Sequence, residues 1–566
     1  MCPLLVLSVH TNHSILWIHR EFPIMIMYSQ LFIILVFPLE HQHKFRLANT
    51  VRQVRSFIDS CQVMVYTSMW LIPYSRKITE VLFMSKLLNR ELFEKLLLIF
   101  IIIQPILDIL TYFSMQALNA SLTIGIIVRV LFMAASLWFI FFGNSSRLKK
   151  YVITYLIALA AVLTIGLIYN FFAKPIFNPF LELQFLAKTV YFPIMLGAYL
   201  LLFTTLDKTL IVRMRIMKAI TIAMVIIAVS MFLAILTGTS SETYEWNKFG
   251  FKGWFNSGNE IGSIIAISFP LVYIYTLNKV DNLKKLYYFI PMIFIALVSI
   301  LLGTKVGFFA VLGASVIVFV SYLIYWLISK VKTSTKESHL HLRLISSLIF
   351  LILFLVATPF SPTFSNVSGD VGQINEQREA TEDPDQDGIE EGAGEDPAGE
   401  EDGGTKGGDD AAAALGEQAL IESPILKIIL SSRNIYFAHI YGMYEEADVV
   451  QKTFGMGYAG NYEDIRKLIE MDFFDLFFSF GILGILLILT PFLIIAGLFL
   501  KLLFKAPGEM LHPQNILILL SIGFGTGIAF LAGHVLYAPA VSIYLAISIV
   551  LLLTNMLHLN NRLRKA

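Results

Sequence analysis

The residues of this sequence best suited to chemistry are charged side chains at the entrance to an apolar segment. The stretch 431–484 runs through SSRN, GMGYAGNY and EMDFFDLFFSFGILG and carries Arg433, Glu470, Asp472 and Asp475. Carboxylates in such a position can take a proton from a hydroxyl group, and an arginine can bind phosphate through its planar fork. Asp472 and Asp475 are three residues apart, so they share one face of a helix. Alternatively, they only stabilise a helix N-terminus, where negative charge is favoured.

The composition places the elements that carry these residues in a membrane. Hydrophobic residues make up 57% of the 566 residues, charged residues only 15%, and the mean hydropathy is +0.72. About 20 apolar residues cross the ~30 Å hydrocarbon core as a helix that satisfies its own backbone hydrogen bonds. We therefore predict an all-α polytopic membrane protein with about 12 transmembrane helices, at 96–115, 121–142, 151–172, 184–204, 216–237, 258–278, 285–302, 305–328, 344–360, 473–500, 513–533 and 537–557.

The charges on the connections between these spans predict the orientation. One alternate set of connections is rich in lysine and arginine, whereas the opposite short connections carry only Lys174, Lys248, Lys252 and Lys305. Since basic connections stay in the cytoplasm, we predict that both termini of the bundle are cytoplasmic and that the protein lies in the cytoplasmic membrane. The active site is then expected on the outer face.

The chain divides into a terminal extension, two groups of spans and one large loop. We predict that translation starts at Met84 and that residues 1–83 are an extension, with an interfacial or re-entrant helix as the alternative. Spans one to nine occupy 84–360, and spans ten to twelve with a cytoplasmic tail occupy 473–566. Both cysteines lie in the extension, so no disulfide or thiol chemistry is expected from the rest of the chain.

The large extracytoplasmic loop, 361–472, has two parts of different composition. Residues 367–417 are acidic and glycine-rich, so we predict a disordered insert, whereas 418–472 has helical spacing of apolar residues and is expected to form a lid over the bundle. The insert contains DPDQDG, whose alternating carboxylates open a calcium loop in some proteins. The twelfth loop position is glycine rather than an acid, so a solvated acidic tract is the alternative for Asp383, Asp385 and Asp387.

Further charges fall within the predicted spans. Asp108, Arg129 and Lys188 lie in the outer half of the membrane by the topology above. Such a charge costs about 2.5 to 3.5 kcal/mol unless it faces a partner or a wet cavity. Asp108 and Arg129 could simply pair, or the cations could form a pocket for a phosphorylated lipid headgroup together with Lys305. His534, at the outer end of span eleven, is either a further site residue or a structural histidine.

Three motifs in this order resemble the O-antigen ligase and O-antigen polymerase superfamily. They are WFNSGNEIGSIIAISFP at 254–270, which contains Asn259, LLGTKVGFFAVLG at 301–313, and the stretch 431–484. The resemblance covers residues 90–557 and implies the GT-C-like fold of the ligases. It also implies a glycosyltransferase that moves a sugar from a polyprenyl pyrophosphate onto an acceptor hydroxyl, in the synthesis of cell-surface polysaccharide.

The site residues follow from the family pattern, with two departures. Thr304 and Lys305 stand where the ligases have Ser-Arg, and Glu470 stands where the ligase histidine is expected. The resemblance implies that Asp472 or Glu470 serves as the base, with Asp475 beside them. Positive charge for the leaving phosphate would come from Lys305 and Arg433, and nearer the lipid from Arg129 and Lys188; Asn259 and His534 complete the predicted substrate-binding set.

The remaining expectations concern partners. No P-loop or dinucleotide motif is present, so we expect no ATP or nucleotide-sugar use, no cofactor and no nucleic acid. The expected partners are a polyprenyl-pyrophosphate-linked glycan, an acceptor glycan or lipid, and membrane lipid. Polymerase and ligase are both open, and a repeat-unit flippase is the alternative class because twelve spans with buried charges suit a transporter equally well.

Overall fold

The computed structural model describes residues 89–118, 123–143, 146–204, 209–244, 248–331, 339–369, 372, 433–463 and 466–565. The predicted extension 1–83, the start at Met84, the calcium candidates Asp383, Asp385 and Asp387, and nearly all of the acidic insert lie outside these residues. Within these residues the helices include α1 Arg90–Leu118, α2 Ile124–Phe141, α3 Lys149–Ala173, α4 Pro179–Thr204, α5 Thr209–Leu236, α6 Gly258–Lys279, α7 Ile290–Leu301, α8 Lys305–Val331, α9 Leu340–Ala357, α10 Arg433–Glu446, α11 Val449–Phe454, α12 Asp472–Lys505, α13 Pro507–Met510, α14 Pro513–Leu531 and α15 Pro539–Lys565.

Three smaller features complete the described chain. Two short strands, β1 (Ser241–Glu242) and β2 (Phe251–Gly253), pair antiparallel between α5 and α6. Two 3₁₀ helices, Leu283–Phe289 and Thr358–Phe360, adjoin α7 and α9. A further helical segment covers 362–369.

The prediction of an all-helical membrane protein is confirmed. Among the described residues, 12 helices are long and apolar enough to cross a membrane, in the predicted order. The spans differ in how much of each is buried inside the protein. In the most apolar stretch of α6, 94% of the residues are buried, whereas in the most apolar stretch of α12 only 17% are buried. Helix α6 therefore lies in the middle of the bundle, where it packs against α14, α8 and α5, and α12 presents leucines, isoleucines and phenylalanines outward, as a lipid-facing helix requires.

The segment 433–463 lies against one end of the bundle, which we call the loop end. A buried ion pair between Lys174 and Glu182, 2.7 Å long, holds it there. Lys174 also donates to the Tyr458 carbonyl at 2.8 Å, and the Tyr458 N–H donates to Glu182 at 2.9 Å. The ion pair at the connection between α3 and α4 thus helps to fix the GMGY part of the large loop, because each of its charged groups also bonds to the Tyr458 backbone.

Helix α12 is interrupted where this segment meets it. Gly481 has a φ of 66° and a ψ of −172°, and the N–H groups of Met456 and Gly457 donate to the carbonyls of Phe478 and Ser479 at 2.9 and 3.0 Å. A Cβ on Gly481 would lie 2.5 Å from the Gly455 nitrogen. The contact therefore requires glycine on steric grounds as well as for its backbone conformation.

Gly481→Ala is expected to destabilise this junction by at least about 1–3 kcal/mol, the usual cost of a strained backbone position. The measurement is thermal unfolding of the detergent-purified protein. Gly497→Ala is the matched control on the same helix, because a Cβ at Gly497 meets nothing within 4 Å. Equal stability of the two variants would contradict the steric argument.

Candidate active site

The first turn of α12 carries two carboxylates that are sealed inside the protein. Asp472 is 0% exposed, and one of its oxygens accepts the N–H groups of Val535 and Leu536 at 2.9 and 2.6 Å. Asp475 is 1% exposed and accepts a hydrogen bond from the Ile469 N–H at 2.8 Å and from two further donors. Since neither carboxylate is exposed, both serve in this conformation to join the start of α12 to neighbouring loops.

Glu470 directly precedes this helix and is different in both backbone and exposure. Its φ is 65°, a left-handed conformation that is rare for a residue with a side chain, and 39% of its side chain is exposed. Arg433, at the start of α10, donates through Nε to the Glu470 carbonyl at 3.0 Å, and its Nη2 lies 3.4 Å from the carboxylate. The arginine therefore fixes both the backbone and the side chain of Glu470.

His534 reaches the same carboxylate from the loop between α14 and α15. Its Nε2 lies 3.7 Å from Oε2 of Glu470, and its φ is also left-handed, at 60°. The preceding Gly533 permits the approach, because a Cβ there would lie 2.4 Å from the Glu470 carbonyl oxygen. Two strained residues, 64 positions apart in the sequence, thus meet at one point, and strain of this kind concentrates at functional sites.

The Glu470–His534 pair shifts the protonation of both groups. The His534 imidazole holds the pKa of the Glu470 carboxyl below its usual range, helped by the charges of Arg433 and Lys467. Burial lowers the pKa of His534, but the contact with Glu470 and the charges of Glu260, Glu470 and Asp472 outweigh burial and raise this pKa above its ordinary value. The histidine is therefore a stronger base than a free imidazole.

A second group of charges lies deeper, between the spans. Arg129 forms an ion pair with Asp108, which was one of the two alternatives for these residues in the sequence analysis. Arg129 also donates to Gln104 at 3.1 Å. Glu260, in the first turn of α6, is within electrostatic range of both, and its other charged neighbours at this range are His534 and Lys188. Glu260 therefore interacts electrostatically with both the Arg129–Asp108 pair and His534.

The other predicted substrate-binding residues lie at neighbouring helix starts. Asn259 is exposed in the first turn of α6, whose N-cap is Ser257, and Lys305 opens α8 with its side chain partly exposed. The two helix starts are in close contact, since a Cβ on Gly262 would lie 3.0 Å from the Thr304 hydroxyl. Lys188 on α4 is exposed as well. No three His, Cys, Asp or Glu side chains of the described residues come together as a metal site.

The comparison with protein families identifies the protein at the level of a family. The model of the O-antigen ligase like membrane proteins matches residues 90–559. The chain belongs to this family. A comparison with curated proteins gives no match. Membership of the O-antigen ligase like family makes the protein a multi-pass membrane enzyme of surface polysaccharide synthesis, as the motifs in the sequence predicted.

Within this family assignment, the sequence predicted His534 as a substrate-binding residue but not its contact with Glu470. Glutamate stands at the position of the ligase histidine, and His534 approaches this glutamate from a different loop. Glu260 was also missed, because an acid in the first turn of a helix is usually a dipole partner. The available signal was its context: it opens a span that is apolar and almost entirely buried, where a charge is costly.

Proposed function

We propose that this protein transfers a glycan from a polyprenyl pyrophosphate to an acceptor hydroxyl at the loop end of the bundle. The observation that carries the proposal is the convergence of Arg433, Glu470 and His534 above the embedded charges of Arg129 and Glu260. This arrangement suits a lipid-linked donor. The phosphates of the donor would lie at the depth of the lipid headgroups, and its sugar would lie outside the membrane. By the positive-inside rule this end faces outward from the cytoplasmic membrane.

In the proposed reaction the acceptor oxygen attacks the anomeric carbon, and the bond between that carbon and the phosphate oxygen breaks. His534 takes the proton of the acceptor hydroxyl, and Glu470 orients the imidazole and stabilises its charged form, as a carboxylate does for a catalytic histidine. The pyrophosphate leaves with its negative charge, and Lys188 and Lys305, whose side chains are exposed or partly exposed, are the candidates to offset it. Asp472 is less suited to the role of base than this pair, because its carboxylate is sealed off.

The pH dependence of the rate is expected to report this pair. His534 accepts a proton only when neutral, so the rate should rise with pH through its pKa, with a midpoint above that of an ordinary histidine. Glu470→Gln removes the carboxylate that raises this pKa, so the midpoint should move to lower pH while the maximal rate falls. The measurement is a pH–rate profile of the reconstituted enzyme; an unchanged midpoint in Glu470→Gln would exclude the orienting role.

A knockout strain analysed for lipid-linked glycans tests the proposed function itself. Single repeat units accumulating on lipid at the outer face would identify a polymerase, and long lipid-linked chains would identify a ligase. Units trapped at the inner face would instead assign the protein to transport and contradict the proposal.

A further inference from the structure

We propose that Arg213 binds a phosphate group at the end of the bundle opposite the loop end, and that an anionic phospholipid headgroup supplies it. Arg213 lies near the start of α5. Its Nη1 donates to the Asn555 side-chain oxygen at 3.1 Å, whereas its Nη2 is buried and has no hydrogen-bond partner. This site is independent of the glycan chemistry at the other end.

The lack of an acidic partner separates Arg213 from other shielded cations of this protein. Arg129, Lys174 and Arg433 each form an ion pair with a carboxylate. Among the described residues no acid interacts with Arg213, whose only partner is a neutral amide. A shielded charge without a counter-ion is costly, and removing it from water is repaid only by an opposite charge or by good hydrogen bonds. An anion bound to Arg213 would supply the opposite charge that the described residues do not provide.

The surroundings of Arg213 are built from amides that hold it in position. Asn555 on α15 donates to the Asn515 side chain on α14 at 2.8 Å. Gln514, the neighbour of Asn515, donates to Asn278 at the end of α6 at 2.9 Å. Three helices are thus joined around the start of α5 by neutral groups, which fix a guanidinium without neutralising it.

A phosphate group fits this position by chemistry and by depth. The guanidinium fork matches two phosphate oxygens. The Arg213 residue is partly exposed, so an anion can approach its side chain, and bonding to the covered Nη2 requires a shift of the groups around it. The connections at this end are rich in lysine and arginine, which the positive-inside rule places beside the inner leaflet. Anionic lipids are abundant there, and basic pockets between spans bind their headgroups.

The test is a titration of the full-length protein in detergent with phosphatidylglycerol, followed by thermal unfolding. Phosphatidylglycerol should raise the unfolding temperature, and Arg213→Gln should weaken the apparent affinity by about tenfold or more, because a charged hydrogen bond is lost. Arg215→Gln is the matched control: it removes a cation two residues away that is 60% exposed and already paired with Glu94, so the affinity should stay unchanged.

Separate arms with inorganic phosphate and with phosphatidylcholine identify the source of the anion. A response to inorganic phosphate as strong as that to the lipid would support the phosphate site with free phosphate as its ligand. Equal responses to phosphatidylglycerol and phosphatidylcholine, or equal affinity in the native protein and Arg213→Gln, would overturn the proposal. If Arg213→Gln does not fold, Arg213→Lys decides, since it keeps the charge without the fork and should still weaken binding; unchanged affinity would then overturn it.

Discussion

Replacing His534 with glutamine is expected to slow glycan transfer by about a hundred- to ten-thousandfold, the usual contribution of a general base. The expectation rests on the position of the imidazole, whose Nε2 faces Glu470 and whose side chain is 25% exposed. Glu470 therefore orients the ring, and the ring is accessible from solvent. Glutamine keeps polarity and approximate size but cannot take the proton.

The measurement is transfer from a lipid-linked donor by the purified, reconstituted enzyme, with the amount of protein in the membrane determined in parallel. His439→Gln is the matched control, because His439 is an exposed histidine on α10 of the same loop segment. Normal transfer by His534→Gln would show that another group takes the proton and would return attention to Glu470 itself.

Replacing Asp475 with alanine is expected to lower the free energy of unfolding by about 3 kcal/mol or more, about 1 kcal/mol at the least for each of three donors. The carboxylate accepts hydrogen bonds from the N–H groups of Ile469 and Met471 at 2.8 and 3.1 Å and from the Tyr537 hydroxyl at 2.9 Å. Each donor left buried without a partner costs about 1–3 kcal/mol. The loss should appear as a lower unfolding temperature and less protein in the membrane.

Two further variants separate the structural role of Asp475 from a chemical one. Tyr537→Phe removes a single hydroxyl and should cost only about 1 kcal/mol. Asp475→Asn keeps one acceptor oxygen and should fall between the two. An Asp475→Ala protein that unfolds like the native one but transfers no glycan would place Asp475 in the reaction instead.

The spans could be predicted from the sequence because their signal is local. A run such as 258–278 is apolar along its whole length, and a helix is the only way for it to cross lipid with its backbone satisfied. The predicted run and the observed span Gly258–Lys279 differ by one residue at one end. No knowledge of neighbouring helices is needed for such a prediction.

The sequence predicts the region of the site but not the role of each residue in it. Glu470, Asp472 and Asp475 are close in sequence, and helical spacing alone cannot tell which carboxylate is exposed. The structure separates them through contacts made by distant segments: Val535 and Leu536 cover Asp472, and Arg433 and His534 reach Glu470. Left-handed backbone at Glu470 and His534 has no sequence pattern of its own, so their meeting was not predictable.

The non-helical residue Gly481 divides α12 into a short helical part and a long helical part. The short part above it, which begins with Asp472, is fastened to the loops, whereas the long part below it presents Ile482, Leu486 and Leu493 outward. Spans tilt to match the thickness of the bilayer around them. Because a non-helical residue joins the two parts, we expect a change in the tilt of the long part to alter the bend at Gly481 more than the geometry around Glu470.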